Sequence, residues 1–198
     1  MINLPETMHV SRETQELLEA FVALLEKWNP RINLVSSRDI ASVWDRHVLD
    51  SLQLAPLVAG QARFIDMGSG GGFPGVIVSI ATGVPGTLIE SDQRKAAFLR
   101  EAARATQAPL TVLAERIEQA EVLPAPVVTA RALASLSRLL DWTAPLLEKD
   151  GKAFFLKGQQ ADEELTEARR NWHMDVRIHR SITSHDGVIL EVSNLERV

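Results

Sequence analysis

The chain has 198 residues, 45% hydrophobic and 24% charged with a formal net charge of −5, an ordinary globular composition for one domain and its core. It contains no cysteine, which excludes a disulfide framework, a thiolate metal site and a cysteine nucleophile. No apolar run reaches the roughly 18 residues of a membrane span and the amino terminus lacks a signal-peptide pattern, so a cytoplasmic monomer with no membrane partner is expected.

In chain order, residues 11–29 predict an amphipathic helix. Ser11 is the N-cap with Thr14 at the third position, Leu17, Leu18, Phe21, Leu24, Leu25 and Trp28 recur at helical spacing, and Asn29-Pro30 ends it. A second helix is expected from Asp39 through Leu52, placing Arg46 beside Asp50 and His47 beside Ser51. Residues 1–60 thus form an N-terminal helical extension carrying five Lys/Arg against eight Asp/Glu.

From residue 61 the pattern becomes alternating strands and helices. Strands are expected at 62–67, 86–90, 110–114, 126–130 and 151–157, and helices near 74–82, 93–106, 134–147 and 159–171. This order implies an α/β fold with a doubly wound, mostly parallel sheet over residues 61–198. Val176 to Ile182 and Val188 to Val192 predict an antiparallel hairpin on one sheet edge.

The most informative stretch runs from Arg63 to Val76. An apolar run stops at Asp66, and five of the next nine residues are glycine. Pro74 suits the first position of the helix that follows. A strand–glycine loop–helix unit brings backbone N–H groups to a ligand with no side chain in the way. Gly70-x-Gly72-x-x-Gly75 satisfies a dinucleotide fingerprint, which suggests NAD or FAD. Asp66-x-Gly68-x-Gly70-x-Gly72 satisfies a different pattern that includes the acid. A carboxylate there would repel a pyrophosphate and suits a ligand bringing a cation, as S-adenosylmethionine does. Glu90, 22 residues after Gly68 at the end of the second strand, is spaced to hydrogen-bond ribose hydroxyls.

Ligands in such sheets bind beyond the carboxyl ends of the strands, where Asp66, Gly68, Glu90, Glu115 to Glu118, Arg131 and Lys157 converge. Glu118, after Ile117, is placed to meet an adenine amino group. Arg131 ends a strand with no acid beside it and is expected to point into the crevice, as is Lys157. Arg94, Lys95, Arg100 and Arg104 against Glu101 make a local basic face, and with Arg138 they are candidate phosphate contacts. Attack through a pyrimidine C5 normally needs a cysteine, and exocyclic amines are usually served by an Asn/Asp-Pro-Pro-aromatic loop. This chain has Thr129-Ala130-Arg131-Ala132-Leu133 at that place. An acceptor with its own lone pair, such as a purine ring nitrogen, needs no base.

The chain resembles the bacterial 16S ribosomal RNA guanine-N7 methyltransferases, also known as the glucose-inhibited division B proteins. The likeness is carried by Trp28-Asn29 with Asn33-Leu34, Arg46-His47-x-x-Asp50-Ser51-Leu52, Asp66-x-Gly68-Ser69-Gly70-Gly71-Gly72-Phe73-Pro74-Gly75, Thr129-Ala130-Arg131-Ala132 and Leu156-Lys157-Gly158. It implies a Rossmann-like class I S-adenosylmethionine-dependent fold. It also implies N7 methylation of the guanine at position 527 of 16S rRNA, within a small ribosomal subunit or its assembly intermediate. By the same resemblance Gly68, Phe73, Ile117, Glu118 and Arg131 would line the S-adenosylmethionine site. Independently of it, the strand-end positions of Arg131 and Lys157 make them candidates for orienting the acceptor. Glu90 departs from the Asp frequent in relatives. Two other classes stay open: an NAD-dependent oxidoreductase, disfavoured by the absence of tyrosine, and a non-catalytic nucleotide-binding module.

Overall fold

The computed structural model describes residues 10–36 and 38–198, so residues 1–9 and 37 of the expected helical extension lie outside the described residues. Seven strands among them form one sheet: β1 (Phe64–Met67), β2 (Gly86–Ile89), β3 (Leu110–Leu113), β4 (Ala125–Arg131), β5 (Leu147–Lys157), β6 (Trp172–Arg180) and β7 (Val188–Arg197). Their spatial order is β3-β2-β1-β4-β5-β7-β6. The first five run parallel, whereas β7 is antiparallel to β5 and to β6. The expected parallel sheet with an antiparallel edge is therefore what forms, with hairpin strands longer than periodicity alone marks out.

Crossover helices α4 (Gly75–Thr82), α5 (Gln93–Thr106), α6 (Leu136–Thr143) and α7 (Ala161–Ala168) cover the sheet, preceded in sequence by α1 (Arg12–Ile32), α2 (Leu49–Leu52) and α3 (Ala55–Val58). Because both faces are covered, all four residues of β1 are buried. Phe64 packs with Phe21, Ile77 and Phe98 on one face, while Ile65 and Met67 pack with Leu139 and Phe155 on the other. The helical extension contributes directly to the first of these clusters. Phe21 of α1 is fully buried, edge-on to Phe73 at 5.5 Å between centroids and tilted against Phe98 at 6.1 Å. Truncating such a ring to alanine costs about 3–5 kcal/mol.

Ser11 caps α1 as expected, accepting from the Thr14 N–H at 3.1 Å. The helix does not stop at Pro30. It continues to Ile32, because a proline in the last turn removes one hydrogen bond while Asn33, in the left-handed conformation, still donates to the Asn29 carbonyl at 3.0 Å. Asn29 Oδ1 in turn accepts from Val35 N–H at 2.9 Å and fixes the following loop. The single helix expected from Asp39 is instead a 3₁₀ turn at Ile40–Ser42, a π turn at Trp44–Val48 and α2. Pro74 precedes α4 as its N-cap rather than opening it. No helix among the described residues is long and apolar enough to cross a membrane.

Candidate active site

β1 ends at Met67, whose register partners are Ile89 of β2 and Ala130 of β4. The next residues, Gly68, Glu90 and Arg131, therefore emerge side by side where the strand order reverses. They open onto a cavity of about 510 Å³, within the range of small-molecule sites. Gly68, Gly70, Phe73, Glu90, Ile117, Glu118 and Arg131 all line it.

The glycine loop leans on β2: Gly68 and Ser69 donate to the Ile89 carbonyl at 2.9 and 3.2 Å. Glu90 then holds both sides of the cavity mouth. Its Oε2 accepts from Gly70 N–H and its Oε1 from Asp92 N–H, each at 2.8 Å. Each oxygen keeps a lone pair for a ligand. Gly70 has φ +52, and a Cβ there would meet only the Gly68 carbonyl, at 3.7 Å. The space beside it is open.

Two expected ligand contacts are placed elsewhere. Gly72, at φ +90, faces the core: a Cβ would lie 2.9 Å from Val76 and 3.0 Å from Phe21. Asp66 points away from the cavity and is fully buried beneath the loop. Side chains alternate along a strand, so when Ile65 and Met67 face α6, Asp66 faces α4. Its register partner Thr129 donates to Oδ1 at 2.7 Å, while Oδ2 is buried against Gly75 and finds no hydrogen-bond partner of good geometry among the described residues. Burial pushes the Asp66 carboxyl up to about 6, against the opposing pull of its hydrogen bonds.

Arg131 is not directed at an open crevice alone. Its Nη1 donates to the Arg46 carbonyl at 2.9 Å and to Asp50 Oδ2 at 3.0 Å, and its Nη2 donates to His47 Nδ1. An arginine can only donate, so His47 is neutral with its proton on Nε2. Burial, followed by the Arg131 charge, lowers the His47 pKa to about 4. The imidazole stacks on Phe73, centroids 5.1 Å apart, and the Arg131 guanidinium lies 5.4 Å from the same ring centroid. Helical spacing pairs Asp50 with Arg46 and His47 with Ser51, within the N-terminal extension, and assigns neither His47 nor Asp50 a role in the site. The structure brings both to the carboxyl edge, 84 and 81 residues from Arg131 along the chain.

Lys157 is committed rather than free. Its ammonium donates to Glu164 at 2.7 Å and to the Ala134 carbonyl at 2.8 Å. Glu118 pairs with Arg138 at 3.0 Å, and Arg138 lies over the Trp142 ring at 4.8 Å, which ties this arginine to the cavity wall. Arg94 pairs with Asp92 at 3.3 Å, whereas Lys95 lines the cavity itself. Of the expected basic face, Arg94, Arg100 and Arg104 are exposed.

Comparison with known proteins fits this geometry. Among solved structures, the ribosomal protein L11 methylase of Lactobacillus delbrueckii subsp. bulgaricus superposes with a TM-score of 0.60 at 15% identity, covering 73% of this chain and 76% of that one. Cofactor-bound Rv0187 from MTB gives 0.61 at 15% identity, covering 90% of both chains. These likenesses establish the Rossmann-like class I methyltransferase fold. The ribosomal RNA small subunit methyltransferase G of Gluconobacter oxydans (strain 621H) is 59% identical over 189 residues, 96% of this chain and 98% of that protein. Its counterpart from Granulibacter bethesdensis (strain ATCC BAA-1260 / CGDNIH1) is 52% identical over 196 residues, 98% of this chain and 92% of that protein. The model of the GidB family, described as rRNA small subunit methyltransferase G, matches residues 14–192, and the chain belongs to that family.

Proposed function

We propose that this chain transfers the methyl group of S-adenosylmethionine to N7 of a guanine in 16S rRNA. The observation that carries the reading is the alignment of Gly68, Glu90 and Arg131 around one cavity at the switch point. The family supplies the substrate class, and it answers the oxidoreductase alternative.

The residues present fit the cofactor. The free lone pairs of Glu90 suit two ribose hydroxyls, and the open space at Gly70 admits the ligand close to the backbone. Gly68, Gly70 and Phe73, which line the cavity, would hold the methionine half, and Ile117 and Glu118 the adenine. Asp66 and Gly72 act behind that wall: one holds β1 to β4 through Thr129, the other seats the loop on α1. The cofactor supplies a methyl group on a sulfonium.

Transfer is an in-line displacement, so positioning carries most of the catalysis. Gly68, Gly70, Phe73 and Glu90 would hold the cofactor, which supplies its methyl carbon to the N7 lone pair, the carbon–sulfur electron pair remaining on sulfur. Positive charge passes to the purine, and no proton has to be accepted. A neutral His47 and a paired Arg131 accord with a site that orients rather than deprotonates.

The test is incubation of the protein with methyl-labelled cofactor and either naked 16S rRNA or small-subunit particles, followed by digestion and mass spectrometry of the nucleosides. Labelled 7-methylguanosine is expected from one of the two substrates. Label on another atom, or none from either, would overturn the proposal.

A further inference from the structure

Beside the first cavity lies a second of the same volume, about 510 Å³, and the two share His47, Arg131 and Ala132. We infer that this second cavity receives the target guanine, extruded from its RNA strand, with Arg131 holding O6 so that N7 faces the first cavity. The inference rests on the methyl-transfer reading above.

The argument begins with position. Reacting atoms must approach to roughly 3–3.5 Å, so an acceptor pocket has to open onto the cofactor cavity. A partition whose side chains line both spaces meets that requirement. The second cavity is walled on its far side by the loop between β6 and β7, with Ser181, Thr183 and Ser184, and by Gly158 after β5. Enzymes acting on a base inside a folded strand extrude it into such a pocket.

The chemistry of the partition selects the base. A guanidinium has five N–H groups, and three of those on Arg131 are engaged by Arg46, Asp50 and His47. The other two are left for a ligand. Guanine presents O6 and N7, both acceptors, on its outer edge, where adenine presents a donor beside N7. A donor at the partition therefore favours guanine and orients it without covering N7.

Charge is consistent with the same occupant. Methylation leaves a cationic ring, and an unpaired arginine beside it would raise the barrier. Asp50 neutralises Arg131 and, with Asp45, lines the second cavity, while the other two cations of its wall, Arg46 and Lys157, are paired with Asp39 and Glu164. Asp50 is itself held: Oδ1 accepts from Thr183 at 2.9 Å and from Gln53 at 3.1 Å, and Gln53 accepts from Ile182 N–H at 2.8 Å. The far loop and the partition are thus one hydrogen-bonded unit. Ala132 holds a left-handed φ of +50 immediately after Arg131, a conformation that non-glycine residues adopt mainly where surrounding structure enforces it.

Gly158 provides the test, because a Cβ placed there meets nothing within 4 Å. Gly158→Phe should fill the second cavity while leaving the first intact, and Ser184→Trp should do the same from the opposite loop. Both are expected to bind S-adenosylmethionine within about twofold of wild type by calorimetry, and to methylate rRNA on the order of 100-fold more slowly. Methylation within about threefold of wild type by either folded variant would overturn the inference. A readout on the unaltered protein guards against misfolding of both. No Phe or Trp among the described residues lines the second cavity, so thienoguanosine, a fluorescent guanine analogue that keeps O6, should brighten on extrusion when placed at the target position of the RNA. No fluorescence change on binding would overturn the inference equally. Wild-type protein that binds RNA and cofactor yet never methylates N7 would instead refute the reading on which it rests.

Discussion

Arg131 at the end of β4 is bonded to Asp50, 81 residues earlier in the chain, across a contact of 3.0 Å. This pair fastens the helical extension to the carboxyl edge of the sheet at the point where the two cavities meet. The side chains are 14% and 20% exposed, so neither charge is well solvated. Asp50→Asn should lower stability by about 1–2 kcal/mol, less than a fully buried pair because some solvent screening remains. Urea unfolding of Asp50→Asn, Arg131→Gln and the double variant checks this. A coupling energy above about 0.5 kcal/mol is expected, and strict additivity would show that the contact contributes nothing.

Gly70 and Gly72 both hold left-handed backbone, but they should fail differently. Gly72→Ala drives a Cβ into Val76 and Phe21, and its combined strain and overpacking should cost about 2–4 kcal/mol. Gly70→Ala incurs mainly the conformational cost, about 1–2 kcal/mol. Thermal melting should therefore fall further for Gly72→Ala, while cofactor affinity falls further for Gly70→Ala. The reverse ordering would contradict the placement of one facing the core and the other facing the cavity.

Glu90→Ala removes an acceptor that joins Gly70, Asp92 and the cavity. Cofactor binding should weaken by about 1.5–3 kcal/mol, the range for a hydrogen bond to a charged group. Glu90→Gln should be nearly as damaging, because its amide NH₂ must face the N–H of either Gly70 or Asp92. Calorimetry that finds less than about a threefold loss for the alanine variant would show that Glu90 serves the loop and not the ligand.

The pH dependence should reveal two groups working against each other. Asp66 titrates at about 6 when folded and 3.8 when unfolded, so between these values the native state holds the extra proton and stability falls as pH rises. His47 titrates at about 4 when folded and 6.5 when unfolded, so in nearly the same window the unfolded state holds the extra proton and stability rises with pH. Each slope approaches about 1.4 kcal/mol per pH unit, and in the wild type they largely cancel. Asp66→Asn should unmask rising stability between pH 4 and 6, and His47→Gln falling stability, relative to wild type. Urea midpoints across that range decide it. Parallel profiles for all three proteins would mean that neither pKa is displaced as the burial of these groups requires.

The local features were legible because they obey short-range rules. The Ser11 cap, the apolar face of α1, the alternation of strands and helices, and the glycine loop followed by Glu90 all follow from backbone geometry and hydrophobic periodicity. Together with the motif resemblance they determined the fold class, the carboxyl-edge site and the expectation of a methyltransferase. Tertiary structure alone decided which side chains face the cavity. Asp66 and Gly72 belong to the motif, yet the alternation of β1 turns one beneath the loop and packing on Phe21 turns the other into the core. Lys157 reads as a free cation until α7 brings Glu164 to within 2.7 Å. Asp50 reads as the salt-bridge partner of Arg46, and His47 as a surface histidine, until the helical extension folds over β4. Local pattern carries no information about these partners, because each contact joins segments that only the closed core brings together.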